Sequence, residues 1–177
     1  MINLHSPYLD STSSDILSRL KLGKTLFNNQ LFKIGLTDTN SCNICTREYD
    51  NDSTEDYRHA LYQCPAVQTI IVHLITTLFP DITTNFTISD IPISTNKDKH
   101  ILYKGPTGIE LTNLIWNLFQ VYILQCRNTN VTPIATIAIS EIRSQISRIV
   151  KLLPSSKVAT LIKTSHELQH IFQIHLT

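Results

Sequence analysis

The stretch Ser41-Cys42-Asn43-Ile44-Cys45, continued through Tyr57-Arg58-His59 to Tyr62-Gln63-Cys64-Pro65, decides how the rest of the chain is read. Stripped to its metal-ligating types it is C-x2-C, then residues 46–58, then H-x4-C. Thiolates and imidazole are soft or borderline donors, and four of them closing a tetrahedron suit structural zinc. C-x2-C reads as a hairpin-sized pincer, and H-x4-C as two ligands about one turn apart at a helix end. Three of the chain's four cysteines fall between positions 42 and 64, so a chance grouping is the plain alternative. The spacing predicts one structural Zn2+ held by Cys42, Cys45, His59 and Cys64.

Upstream, Ser13 or Ser14 is placed to cap a helix running from Asp15, with Ile16, Leu17 and Leu20 on one face. Gly23 interrupts it. A second helix is expected from about Thr25, carrying Leu26, Phe27, Leu31, Phe32 and Ile34, with Gly35 where a C′ glycine would end it. The result is a helical hairpin delivering the chain to the cysteines. Between Cys45 and His59 the chain is rich in Asp, Glu, Asn and Ser. It reads as an exposed loop and then a short helix from near Ser53, bearing His59 and Cys64. The acidic group Asp50, Asp52, Glu55 and Asp56 reads as solvated rather than as a hard-cation site.

Downstream, Pro65 is a good first helical residue, and Val67, Ile70, Ile71, Leu74, Ile75 and Leu78 recur at helical spacing. His73 has no partner nearby in this pattern and is expected at the surface. Residues 81–106 form a Thr- and Pro-containing connector with one helical turn expected at Ser89-Asp90. Residues 111–126 are apolar on nearly all sides, as a buried central helix would be, with Trp116 and Cys126 as core residues. Thr132-Pro133 opens another helix with Ala138, Ile139, Ile142, Ile146, Ile149 and Val150 as its stripe and Arg143, Arg148 and Lys151 on its other face. Pro154 stops it, and a last helix follows from Ser155 or Ser156. The expected fold is all-α: a helical hairpin plus a CCHC zinc knuckle over 13–79, a connector over 80–108, and a small helical bundle over 109–177.

The bulk numbers bound the function. A 177-residue chain with 42% hydrophobic residues, 4 Gly and 7 Pro can bury a core and is not low-complexity. A formal net charge of +1 gives no global signature of a polyanion partner. No apolar run is long enough to span a bilayer and residues 1–10 lack a signal-peptide core, so an intracellular protein, nuclear or cytoplasmic, is expected, with no membrane partner. In a reducing compartment a CxxC pair is more readily a metal clamp than a disulfide.

One motif competes. His166-Glu167-Leu168-Gln169-His170 is H-E-x-x-H on an expected helix, the arrangement in which two histidines chelate zinc and a glutamate activates its water. That chemistry needs a third protein ligand. His175 lacks the glycine turn of an extended histidine motif, and no downstream glutamate helix follows. A surface pair without metal is the reading adopted. No Gly-rich phosphate loop or G-x-S-x-G elbow is present, and the redox reading of Cys42-x-x-Cys45 lacks a βαβ context.

The stretch from Leu17 to Leu36, with Arg19-Leu20 and Gly23 in its first part, followed by Cys42-Asn-Ile-Cys45 and His59-Ala-Leu61-Tyr-Gln-Cys64-Pro65, resembles a known family. It is similar to the zinc-binding segment that follows the reverse transcriptase in non-LTR (LINE-type) retrotransposon polyproteins. The likeness covers about residues 14 to 70. Lys24 stands where that family often has histidine, and the gap from Cys45 to His59 is longer than usual. The resemblance implies the same four zinc ligands and a non-catalytic accessory module. Its partners would be RNA or DNA, as template or target, and the reverse transcriptase domain. Arg19, Lys21, Lys24 and Lys33 on the hairpin, with Arg47 and Arg58 beside the metal, are the expected phosphate contacts. Tyr57 and Tyr62 are the expected stacking platforms. A zinc-stabilised protein-interaction domain is the alternative.

Overall fold

A computed structural model of the chain describes residues 9–78 and 105–152. The expected helical turn at Ser89-Asp90, the helix after Pro154, and the His166–His170 motif lie outside the described residues. Within them the elements are α1 (Ser11–Lys21), α2 (Asn28–Lys33), α3 (Asn43–Tyr49), a π-helical turn (His59–Gln63), α4 (Pro65–Leu78), α5 (Gly105–Asn128) and α6 (Ala135–Leu152). Among the described residues the only extended pairing is one isolated bridge, Ser41 to Thr54. The all-α expectation holds for this part of the chain.

Helix α1 starts earlier than its serines suggested. Asp10, not Ser13 or Ser14, is the N-cap: its carboxylate accepts from the Ser13 N–H at 2.8 Å and from the Ser13 hydroxyl at 2.9 Å. A carboxylate is a better acceptor than a hydroxyl and also meets the positive end of the helix. The helix ends in a Schellman motif, with Lys24 N–H on Arg19 O (2.7 Å) and Gly23 N–H on Leu20 O (3.1 Å). That turn puts Gly23 at φ +66°.

Helix α2 is only 6 residues long and begins at Asn28, not near Thr25. Phe27 has no side-chain acceptor, and Gln30 supplies half of a capping box by accepting from the Phe27 N–H at 3.0 Å. Gly35, at φ +72°, closes a second Schellman turn, as the C′ reading expected. Too short to pair along α1, α2 buries Phe27 and Asn28 at its entry and leaves Leu26, Phe32 and Ile34 exposed. Helix α1 packs instead on α5. Both helices of the expected hairpin are present, but they do not pack as one: α1 lies on the central helix.

The core runs through α4, α5 and α6. Leu61, Ile70, Ile71 and Leu74 share one buried cluster with Ile115, Phe119, Ile123 and Leu124 and with Ala138, Ile139, Ile142 and Ile146. Fully burying each such aliphatic or aromatic side chain contributes about 1.5–3 kcal/mol. Trp116 and Cys126 are buried as read, and His73 is exposed. Helix α5 begins at Gly105, inside the stretch expected as connector. It ends in a third Schellman turn with Asn130 at φ 53°. Helix α6 begins at Ala135 rather than at Thr132-Pro133, because the Tyr122 hydroxyl donates to Ile134 O at 3.2 Å and accepts from its N–H at 3.0 Å, holding the entry.

Candidate metal centre

Each of the four predicted ligands comes from a helix boundary. Cys42 is the residue before α3, its carbonyl taking the Thr46 N–H at 3.0 Å, and Cys45 lies in the first turn. The CxxC pair is therefore a loop-to-helix corner and not a hairpin. Chain direction into the corner is fixed by Cys42 N–H on Ser53 O (2.8 Å), Glu55 N–H on Asn40 O (2.8 Å) and Asn28 Nδ2 on Ser41 O (2.7 Å).

The expected short helix from Ser53 is not formed. Asp56 starts the π-helical turn instead, accepting the His59 N–H on its side chain at 2.8 Å and the Ala60 N–H on its carbonyl at 2.9 Å. The difference matters to the ligands. On an α-helix, residues five apart point about 140° away from each other. Here Cys64 N–H bonds His59 O at 2.9 Å, a five-residue ring that slows the winding and returns the two side chains to one side. Cys64 then hands the chain to Pro65, which has no N–H to continue the turn, and α4 begins.

The side chains converge. One ligand atom from each of Cys42, Cys45, His59 and Cys64 lies within 4.8 Å of all the others. Cys45 Sγ is 3.2 Å from His59 Nε2 and 3.6 Å from Cys64 Sγ. Zinc at 2.3 Å from sulfur and 2.0–2.1 Å from nitrogen implies tetrahedral edges of about 3.8 Å between sulfurs and about 3.6 Å from sulfur to nitrogen. Those two edges are slightly shorter than in such a tetrahedron, while the widest separation in the cluster, up to 4.8 Å, is about 1 Å longer. Its members are between 0% and 7% exposed. The donor set and burial fit one metal ion.

Electrostatics agrees. Without a cation the thiols cannot all ionise. Cys42 is pushed up to about 12 by its hydrogen bond to Cys64 and by burial, and Cys45 is pushed up to about 11, mainly by burial. Cys64 is lowered, chiefly by accepting from Cys42 and further by the Val67 N–H. A buried cluster of protonated thiols around one favoured thiolate is stabilised by a dication that replaces the protons.

The predicted phosphate contacts fare unevenly. Lys24, Lys33 and Arg58 are exposed, and Lys21 is half-buried with its pKa lowered by burial. Arg19 is exposed and pairs with Asp15 at 2.9 Å. Arg47 is exposed but already engaged by the protein's own groups: its guanidinium reaches Thr132 Oγ1 at 2.6 Å, Asn130 O and Oδ1 at 3.2 Å, and Glu48 at 2.9 Å. It clamps α3 to the α5–α6 loop. Tyr62 is not a stacking platform. It is 3% exposed, accepts from Gln120 Nε2 at 2.7 Å, and its pKa is raised by burial. Tyr57 stands edge-on between Phe27 and Tyr62.

The residue that sequence reasoning misplaced is Glu55. It is buried, and its carboxylate is paired with Arg127, whose guanidinium also donates to Leu26 O at 3.2 Å and lies 4.8 Å from the Phe27 ring centroid. With Asn29 N–H on Glu55 O at 3.1 Å, this pair locks the metal loop to both α2 and α5. Among the described residues no helix is long and apolar enough to cross a membrane. No protein-family model matches the chain, and it matches no curated protein and no solved structure.

Proposed function

We propose that the protein is a zinc-stapled, non-catalytic nucleic-acid-binding module of the kind that accompanies the reverse transcriptase of non-LTR retrotransposons. The observation that carries the reading is the buried Cys3His cluster, whose four ligand atoms lie within 4.8 Å of one another. It is reached through the order of Arg19, Gly23, CxxC and H-x4-C-P that resembles that family. Zinc is the metal because the set is three sulfurs and one nitrogen in a closed site. Its role is to hold α3, the π-helical turn and α4 together. Exposed Lys24, Lys33 and Arg58, the last beside His59 in the chain, supply charge for phosphates of template RNA or target DNA.

A second reading has its own support. Leu22, Leu26, Phe32, Ile34 and Leu36 are 41% to 68% exposed along the front of the chain. A net charge of +1 does not favour a polyanion over a protein. A zinc-stabilised protein-interaction domain accounts for both. One experiment separates the two: metal content by mass spectrometry, with binding to single-stranded RNA and DNA followed over a salt series. The nucleic-acid reading expects one zinc per chain and affinity that falls steeply as salt rises. One zinc with no binding at low salt leaves the interaction domain, and no zinc removes the staple from both.

A further inference from the structure

The polar face of α6 is unusual for a solvent-exposed helix. Thr136, Ser140, Ser144 and Ser147 lie along it with Arg143, Arg148 and Lys151, and Glu141 is its only acidic residue. Serine and threonine are weak helix formers, and an ordinary exposed face alternates lysine with glutamate. This face forms one wall of an open groove of about 630 Å³. Helix α4 forms the other wall with His73 and Thr77. Among the described residues no carboxylate lines this groove, and Glu141 faces the neighbouring depression. Two of its donors, Arg143 Nε and Ser147 Oγ, are buried without a hydrogen-bond partner. Buried donors are ordinarily satisfied, so among the described residues these two leave unmet hydrogen-bonding capacity in the groove wall.

We propose that the α4–α6 groove binds the phosphate backbone of a single-stranded nucleic acid through Arg143, Arg148 and Lys151, with the hydroxyls of Ser140, Ser144 and Ser147 donating to phosphate oxygens. This rests on the nucleic-acid reading above and moves its main contact surface from the hairpin to the helical bundle. Guanidinium and hydroxyl donors suit phosphate oxygens and read no bases. From Thr136 to Lys151 the helix extends about 22 Å, long enough for several successive phosphates. The local excess of cations reconciles a polyanion ligand with near-neutral total charge.

The test uses the zinc-loaded full chain and a fluorescent single-stranded oligonucleotide at 50–200 mM salt. Each neutralised phosphate of a single strand contributes about 0.7 to the slope of log K against log salt. The triple variant Arg143→Gln, Arg148→Gln, Lys151→Gln is expected to flatten that slope by about 2. The wild-type advantage then shrinks roughly 20-fold between 50 and 200 mM salt. Because Arg143 is half-buried, the exposed pair Arg148→Gln, Lys151→Gln serves as the second variant, with a loss of about 1.4 in slope and unchanged zinc content and helicity. Wild-type slope in both variants overturns the groove and leaves the functional reading standing. No oligonucleotide binding by wild type at 50 mM salt overturns both. Complete displacement of the oligonucleotide by millimolar inorganic phosphate makes this a small-anion site and overturns the nucleic-acid assignment.

Discussion

Glu55 joins the metal loop to the body of the protein through a single charge. Its side chain is 4% exposed and that of Arg127 16%, so neither ion has bulk water to fall back on. Removing one member of such a pair leaves an uncompensated charge and typically costs about 3–5 kcal/mol, even where the pair itself contributes little net stability. Glu55→Gln in the zinc-loaded protein is therefore expected to lose about 3 kcal/mol by urea unfolding. Arg127→Met should lose a similar amount, and the double variant clearly less than the sum. Additive losses would mean that the two side chains are not coupled. The sequence showed Glu55 only as one of four acids in a polar loop. For Asp50 and Asp52 the solvated reading holds. Glu55 differs because its partner is 72 positions away, and no local pattern carries that information.

At the scale of elements, the places where helices stop were more legible than the places where they start. Gly23 and Gly35 were marked by identity, since a left-handed C′ residue favours glycine, and both sit in Schellman turns. Starts depend on which acceptor wins. Asp10 outcompeted two serines, and Tyr122, a side chain from α5, fixed the entry to α6. The π-helical turn was hidden for another reason. H-x4-C followed by proline is compatible with an α-helix until one asks whether both ligands can face the same point, and only the five-residue ring allows it. The Gly23 turn offers a clean test. A Cβ there meets nothing within 4 Å, so Gly23→Ala changes backbone preference alone. The expected cost is about 1 kcal/mol in thermal or urea unfolding, with zinc content unchanged. A neutral result would mean that α1 tolerates a frayed end.

For the whole molecule, the metal site and the hydrophobic core form one body. Cys42, Cys45 and Cys64 belong to the same buried cluster as α4, α5 and α6, so the grouping of four donors was legible in the sequence while its continuity with the bundle was not. Losing the ion should then destabilise more than a detachable finger. Cys42→Ser or Cys64→Ser, or chelation of the wild type, is expected to lower the unfolding temperature of the described helices together, read by circular dichroism at the α-helical band. The pH dependence gives the sharper test because its sign reverses with the metal. In the metal-free fold Cys42 and Cys45 titrate near 12 and 11, above their ordinary value of 9.0. A raised folded-state pKa favours the protonated form. Metal-free stability is therefore full below about pH 9 and declines as pH rises from there towards 11 and 12. Metal binding runs the other way. Both thiols must give up their protons, so the apparent affinity for zinc should weaken about tenfold per displaced proton for each unit that pH falls. Cys42 and Cys45 alone make the loss roughly 100-fold per unit around neutrality, and any proton still on Cys64 adds to it. Competition against a zinc-binding dye at pH 6.5, 7.0 and 7.5 measures this directly. An affinity independent of pH would show that the buried thiols are not the ligands.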